Sequence, residues 1–241
     1  MVCQTYSQAR TLDNRDFTVS VVIPAYNESR TIGSTVAAVI STGLANEVIV
    51  VDDGSTDDTA RRAEDSGARV IRLEQNKGKG YAMTVGVKSS TSEFVALLDG
   101  DLGDSAKGFT KLLEPIIAGQ ADLCIASLPS MGKGGGFGAA KGLGRFGIWA
   151  LTGYKASSPL SGQRAARKED LLRILPFASR WGVEVGMTID ALRIGLRVIE
   201  VETDMRHRVT GKSLPHSLHR LRQFRDIALA ILFRLFPRRR S

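Results

Sequence analysis

Cysteine is scarce in these 241 residues: only Cys3 and Cys124 occur. Two cysteines cannot build a disulfide framework, and they suggest a reducing compartment. No run of about 18 apolar residues is present, so no segment is expected to span a bilayer by itself. The longest candidate, IALAILFRLF at 227–236, is short and broken by Arg234. The first 17 residues hold no apolar stretch of the kind a secretory signal needs, so none is expected. Internal repeats are missing, and so is a GxxxxGKS or GxxxxGKT phosphate loop. What remains is ordinary for a globular protein: 43% hydrophobic and 24% charged residues, too apolar for disorder. The length suits one large domain or two small ones and needs no staples to fold.

The net charge of +8 is not spread evenly. From Arg206 onward ten basic residues stand against one acid, Asp226, so the preceding 205 residues are nearly neutral. A neutral body with a basic end argues against a nucleic-acid-binding protein.

Short β-branched runs alternate with helical segments. VSVVIPAY (19–26), EVIVVDD (47–53), RVIRLE (69–74), EFVALLDGD (93–101) and ADLCIASL (121–128) read as strands, with helices between them. Continuous apolar strands separated by helices predict an α/β fold with a mostly parallel sheet covered on both faces. In such sheets ligands sit beyond the carboxyl ends of the strands, which selects Pro24–Glu28, Asp52–Ser55 and Asp99–Asp101. Residues 132–147 hold eight of the 25 glycines and read as either a flexible linker or a mobile loop that closes over a ligand. Residues 148–205 read as mostly helical, with a last strand at 197–205, and 216–236 as a helix.

Three motifs carry chemistry. In DGD (99–101), Gly100 is expected to let the chain turn so that two carboxylates converge on a hard cation such as Mg2+ or Mn2+; alone, such a motif is usually an acidic turn. In VVDDGSTDDT (50–59), Asp52 and Asp53 are placed to hold a nucleobase or ribose, while Ser55–Asp58 suffice to cap the next helix. NKGKGYA (76–82) sets Lys77 and Lys79 at a helix start, a place for a diphosphate or merely a solvated basic turn.

IPAYNE (23–28), VVDDGSTDDT (50–59), NKGKGYA (76–82), LLDGD (97–101) and SGQRAARKED (161–170) together resemble the family-2-like nucleotide-sugar glycosyltransferases of the Rossmann-like GT-A fold. The resemblance runs from about Val19 to Ser213. It implies a nucleoside-diphosphate sugar donor of the UDP-glucose type and a divalent metal. It assigns Pro24, Tyr26, Glu28 and Asp53 to the nucleoside and Lys79 to the diphosphate; Asn27, Asp52, Lys77, Asp99 and Gly100 are expected beside them at the donor. Asp99 and Asp101 become the metal-binding pair, with Asp101 the direct ligand. SGQRAAR and MRHRVTGKS are similar to polyprenyl- and dolichyl-phosphate sugar transferases. The stretch from Trp181 to Arg208 looks like glucosyl-3-phosphoglycerate synthases, in which a glutamate holds the sugar and a histidine completes the metal site; here these are Glu184 and His207. Both subfamilies use a phosphate-bearing acceptor, expected to meet Gly162, Arg206, Arg208 and Lys212. The leading expectation is a polyprenyl phosphate at a membrane surface. The alternatives are a soluble glucosyl-3-phosphoglycerate synthase-like enzyme and, last, a sugar nucleotidyltransferase. A hydroxyl acceptor needs a general base, for which Glu184 and Asp190 are candidates.

In SLHRLRQFRDIALAILFRLF, apolar residues recur at three- and four-residue spacing with arginines beside them, which predicts a basic amphipathic C-terminal helix. It reads either as an interfacial membrane helix or as an element packed on the domain or in a homodimer. The expected layout is an N-terminal extension (1–18), a transferase domain (19–213) with a mobile loop at 130–147, and the basic helix (214–241). The expected location is the cytoplasm, with the helix offering a contact to the inner face of the membrane.

Overall fold

Strands that are apolar on both sides must be covered on both faces, and the chain folds accordingly. The computed structural model describes Leu12 and residues 16–127, 138–178, 180–207 and 216–235. The strands are β1 (Val19–Ala25), β2 (Glu47–Asp52), β3 (Arg69–Arg72), β4 (Phe94–Leu97), β5 (Leu123–Ser127), β6 (Arg164–Arg167) and β7 (Val198–Glu202). The helices are α1 (Ile32–Ser41), α2 (Thr59–Asp65), α3 (Lys79–Ser89), α4 (Thr110–Ile117), α5 (Gly138–Thr152), α6 (Lys168–Arg173), α7 (Val183–Arg193) and α8 (His216–Leu232). Short 3-10 helices cover Gly103–Phe109 and Arg180–Gly182.

One seven-stranded sheet has the order β3-β2-β1-β4-β6-β5-β7. All its pairs are parallel except those of β6, which runs antiparallel to both β4 and β5. Alternation along the strands splits the core into two layers. Val19, Val21, Ile23, Val48 and Val50 pack with Val36, Leu112 and Ile116 on one face. Val22, Ile49 and Val51 pack with Met83, Val87 and Met187 on the other. Each such buried side chain stabilises the fold by about 1.5–3 kcal/mol. Gly86 lets α3 lie directly on the sheet, since a Cβ there would fall 2.3 Å from Val22 Cγ1.

Two expectations change, and a third follows one of the two readings given for it. The region after 148 contains β6, a strand of sequence RAAR with no apolar run to announce it. The glycine-rich stretch expected as a loop through 147 is helical from Gly138, because α5 begins there; residues 128–137 lie outside the described residues. Finally, the described part of the C-terminal helix is packed on the domain. Ile227 and Ala230 are buried, and α8 contacts both α5 and α7. Glycines admit it: a Cβ on Gly147 would lie 2.3 Å from Ile231 Cδ1, on Gly182 2.6 Å from Ala230 Cβ, and on Gly186 2.8 Å from Arg234 Cζ. Arg234 is buried and donates from Nε to Asp190 Oδ1 at 2.8 Å and from Nη2 to Asp190 Oδ2. Among the described residues no helix is long and apolar enough to cross a membrane.

Candidate active site

Parallel β1, β2 and β4 end on the same edge of the sheet, and the acidic motifs follow those ends. At the end of β1 the chain turns through Asn27, whose φ of 56° is left-handed, a conformation asparagine tolerates better than most residues. The Asn27 amide donates to Ser55 Oγ at 2.9 Å, and its side-chain oxygen accepts from the Thr56 amide at 3.0 Å, tying this turn to the end of β2. Pro24 is half-buried in β1 and Tyr26 is exposed beside the turn. The Glu28 amide is held by Thr59 Oγ1, and its carboxylate accepts from Thr31 Oγ1. Burial raises the Glu28 pKa, and the neighbouring Asp101 and Asp99 charges add to the rise against the Thr31 hydrogen bond.

Asp52 and Asp53, expected on the nucleoside side, lie at and just after the end of β2. Both are buried. Asp53 accepts from the Lys77 and Gly78 amides, each at 2.8 Å, and so anchors the turn that leads into α3. Asp52 accepts from the Ser55 amide and has Arg72 Nε 3.4 Å from its second oxygen. The two lysines of that turn diverge. Lys77 Nζ lies over the Tyr81 ring, 4.8 Å from its centroid. Lys79, the first residue of α3, reaches inward, with Nζ 2.7 Å from Asp99 Oδ1 and 2.7 Å from Glu184 Oε1.

That triad forms the centre of the site. Burial pulls the Lys79 pKa down, but the Asp99 and Glu184 charges outweigh it and hold the ammonium above its ordinary range. Burial likewise pushes Asp99 up, and Lys79 and His207 bring it below the usual carboxylate value. Gln163 Nε2 donates to Asp99 Oδ2 at 2.7 Å and fixes the carboxylate from the β6 side. Gly162 makes room: a Cβ there would lie 2.6 Å from Asp99 Oδ2 and 2.7 Å from Lys79 Nζ. Glu184 is buried in the first turn of α7. Arg164 braces that turn, donating from Nη1 to Thr188 Oγ1, which itself donates to the Glu184 carbonyl. Complete burial lowers the Arg164 pKa to about 10, against the raising effect of Glu184, Glu200 and Asp99.

Beside the triad, Asp99, Asp101 and His207 each offer one ligand atom, all within 4.8 Å of one another. His207 Nδ1 is 2.9 Å from Asp101 Oδ1, and Nε2 is 3.8 Å from Asp99 Oδ2. Two carboxylates and an imidazole suit Mn2+ or Mg2+, the latter through its oxygen ligands. Gly100 contributes differently from expectation. It does not take a left-handed φ, and a Cβ there would meet only ordinary contacts near 3.5 Å; Gly103, at φ 54°, makes the turn. The Gly100 carbonyl is held by Thr35 Oγ1.

Two expectations are corrected or left open. Asp190 does not join Glu184: six residues along a helix turn it about 120° away, and Arg234 takes up its carboxylate. Arg206 is exposed on the lining of a groove of about 700 Å³ that opens beside His207 between α1 and the 3-10 helix at Gly103–Phe109. Arg208 and Lys212 lie outside the described residues. Gln163 and Arg164 were not expected at the site, although both lie in the SGQRAAR stretch next to Gly162.

Known proteins are similar to this chain in sequence and fold. Residues 20–174 match the model of the family "Glycosyl transferase family 2". Glucosyl-3-phosphoglycerate synthase from Mycolicibacterium paratuberculosis is 35% identical over 206 residues, covering 76% of this chain and 62% of the relative. Glycosyltransferase AglJ from Haloferax volcanii is 31% identical over 201 residues, covering 80% of this chain and 64% of the relative. The chain thus spans somewhat under two thirds of the length of these relatives. A crystal structure of glucosyl-3-phosphoglycerate synthase from Mycobacterium tuberculosis with Mn2+, UDP and phosphoglyceric acid superimposes with a TM-score of 0.77 at 32% identity, covering 95% of this chain and 84% of that one. Another of the same enzyme, with Mn2+, UDP-glucose and phosphoglyceric acid, gives a TM-score of 0.76 at 31% identity, covering 95% and 85%. The α/β sheet, the acidic strand ends and the match over most of the chain lead to one conclusion: this protein belongs to glycosyl transferase family 2.

Proposed function

We propose that the protein transfers glucose from UDP-glucose to a small phosphate-bearing acid of the phosphoglycerate type, with a divalent cation bound. The observation that carries this reading is the convergence of Lys79, Asp99 and Glu184 beside the Asp99–Asp101–His207 cluster. The similarity to glucosyl-3-phosphoglycerate synthases, whose crystal structures hold Mn2+ or Mg2+ with UDP, favours this donor and acceptor over the polyprenyl phosphate that leads the sequence reading. It also favours both over a nucleotidyltransferase.

A cation held by Asp99, Asp101 and His207 would neutralise the leaving diphosphate. The rest falls to the protein. Glu184, buried and fixed by Lys79, is placed to accept hydrogen bonds from sugar hydroxyls. Lys79 keeps Asp99 and Glu184 from repelling each other and adds positive charge where the diphosphate departs. Pro24, Tyr26 and Glu28 are assigned to the nucleoside side, with Asn27 and Asp53 shaping the turns around it. Arg206, on the groove beside His207, is the described cation assigned to the acceptor phosphate. Phosphate and carboxylate groups are already ionised at neutral pH; where the nucleophile is a hydroxyl, Glu184 is the assigned base, not Asp190.

The test is direct. The full chain is incubated with UDP-glucose, Mn2+ and 3-phosphoglycerate, and UDP and the glucosylated acid are measured by chromatography. Product that disappears with EDTA is expected. Donor cleavage with polyprenyl phosphate but none with phosphoglycerate would overturn the acceptor assignment, and no UDP release with either would overturn the transferase.

A further inference from the structure

Helix α8 and the turn that follows it, Phe233–Leu235, have two apolar faces, and the protein uses one. The inner face, with Ile227, Ala230 and Arg234, is seated against α5 and α7. The outer face leaves Phe224, Leu229, Leu232 and Leu235 exposed, together with Phe233 at 73%. On α5, Phe146 and Trp149 are also exposed, at 62% and 51%, with ring centroids 6.1 Å apart. The two helices that carry these sets meet close by. Gly147, next to Phe146, is the point where Ile231, next to Leu232, touches α5. A soluble surface seldom gathers seven large apolar side chains without a partner.

The exposed charges that α5 and α8 themselves carry among the described side chains are of one sign. α5 contains no acid and carries Lys141 and Arg145. In α8 the only acid, Asp226, is buried and paired with Arg225, while Arg222 is exposed. The sequence continues past Leu235 into Pro237-Arg238-Arg239-Arg240.

The geometry points to an anionic lipid bilayer as the partner of this α5–α8 face, which rests in the membrane interface with its leucines and aromatics inserted and its arginines at the headgroups. Leucine, phenylalanine and tryptophan flanked by arginine are the side chains that suit that boundary. A second copy of the chain fits less well. A two-fold pairing would set the same arginines against each other with no exposed acid from either helix to meet them. The inference goes beyond the proposed reaction and does not depend on it, since it concerns where the enzyme works.

The experiment is sedimentation of the full chain with vesicles of phosphatidylcholine alone and with 30 mol% phosphatidylglycerol, at low and high salt. Wild type is compared with the double variant Leu232→Glu/Phe233→Glu. Both positions are exposed, and melting temperature and UDP binding report that the variant is folded. The expected result is binding to the anionic vesicles only, weakened by salt, and reduced at least tenfold in the variant. Absence of binding to anionic vesicles would overturn the proposal, as would binding the variant retains. A wild-type dimer that the same substitutions convert to a monomer, with no vesicle binding, would assign the face to a second copy instead. UDP release by the soluble variant is read separately, so failure here is distinct from failure of the transferase assignment.

Discussion

Glu184 Oε1 accepts a hydrogen bond from Lys79 Nζ at 2.7 Å, joining the first turn of α7 to the first residue of α3 across 105 positions of sequence. The same ammonium holds Asp99. Replacing Lys79 by Met leaves two largely buried carboxylates facing each other, with a cost to stability of about 3–5 kcal/mol. UDP release is expected to fall at least a hundredfold. Steady-state kinetics and thermal melting, run together, check both outcomes. Wild-type turnover in Lys79→Met would remove this lysine from the mechanism.

Gly162→Ala tests whether the site tolerates a single methyl. The new Cβ would sit 2.6 Å from Asp99 Oδ2 and 2.7 Å from Lys79 Nζ, so the ion pair must shift. A displacement of about 1 Å in a catalytic group costs on the order of a hundredfold in rate. The expected outcome is that loss in kcat with an unchanged circular dichroism spectrum.

The two acids of α7 are expected to separate by readout. Glu184→Gln lowers kcat while the melting temperature stays close to wild type. Asp190→Asn leaves the Arg234 guanidinium buried without its counter-charge, which costs about 3–5 kcal/mol, yet activity measured well below the melting temperature persists. The reverse pattern would restore Asp190 as the catalytic acid or base.

The hydrogen bond that the protonated His207 ring donates to Asp101 lifts the His207 pKa above its ordinary value, more than burial lowers it. A cation must displace the proton that this raised pKa retains. Affinity for Mn2+ therefore rises with pH through the His207 titration and levels off above it, and it falls as the imidazole is protonated below. Electron paramagnetic resonance titration of free Mn2+ at several pH values measures this. In His207→Ala the affinity is expected to drop about 10–100-fold, by analogy with the loss of a supporting ligand, and its pH dependence over that range to flatten.

Much of the fold could be read in advance because it is carried by local composition. The runs VSVVI, VIVV and FVAL are each apolar on both faces, and each is a strand. Strand β6 could not be read this way. Its residues are two arginines and two alanines, and it is a strand only because Arg164 pairs with both Leu97 and Ile125. The same limit applies at the site. Asp99, Asp101 and Lys79 announce themselves by motif. The commitment of Asp53 to the Lys77 and Gly78 amides is invisible, since its partners are backbone groups 24 and 25 residues away. So is the use of Asp190, whose partner Arg234 lies 44 residues on, in the turn after a helix whose arginines read as a surface feature.

The place of β6 has a consequence for how the chain is made. It lies between β4 and β5 yet is synthesised after both. On the ribosome, β1 to β4 can assemble as their residues emerge, but the edge of β4 has no partner until Arg164–Arg167 appears. At about 5–20 residues per second, the nascent protein spends several seconds with that slot open. Until then β5 has no strand linking it to β4, and Gly162 and Gln163 have not yet reached Asp99. The active site is therefore a late product of synthesis: a short arginine-alanine strand enters the middle of the sheet after both its neighbours, and Glu184 and His207 follow it only later.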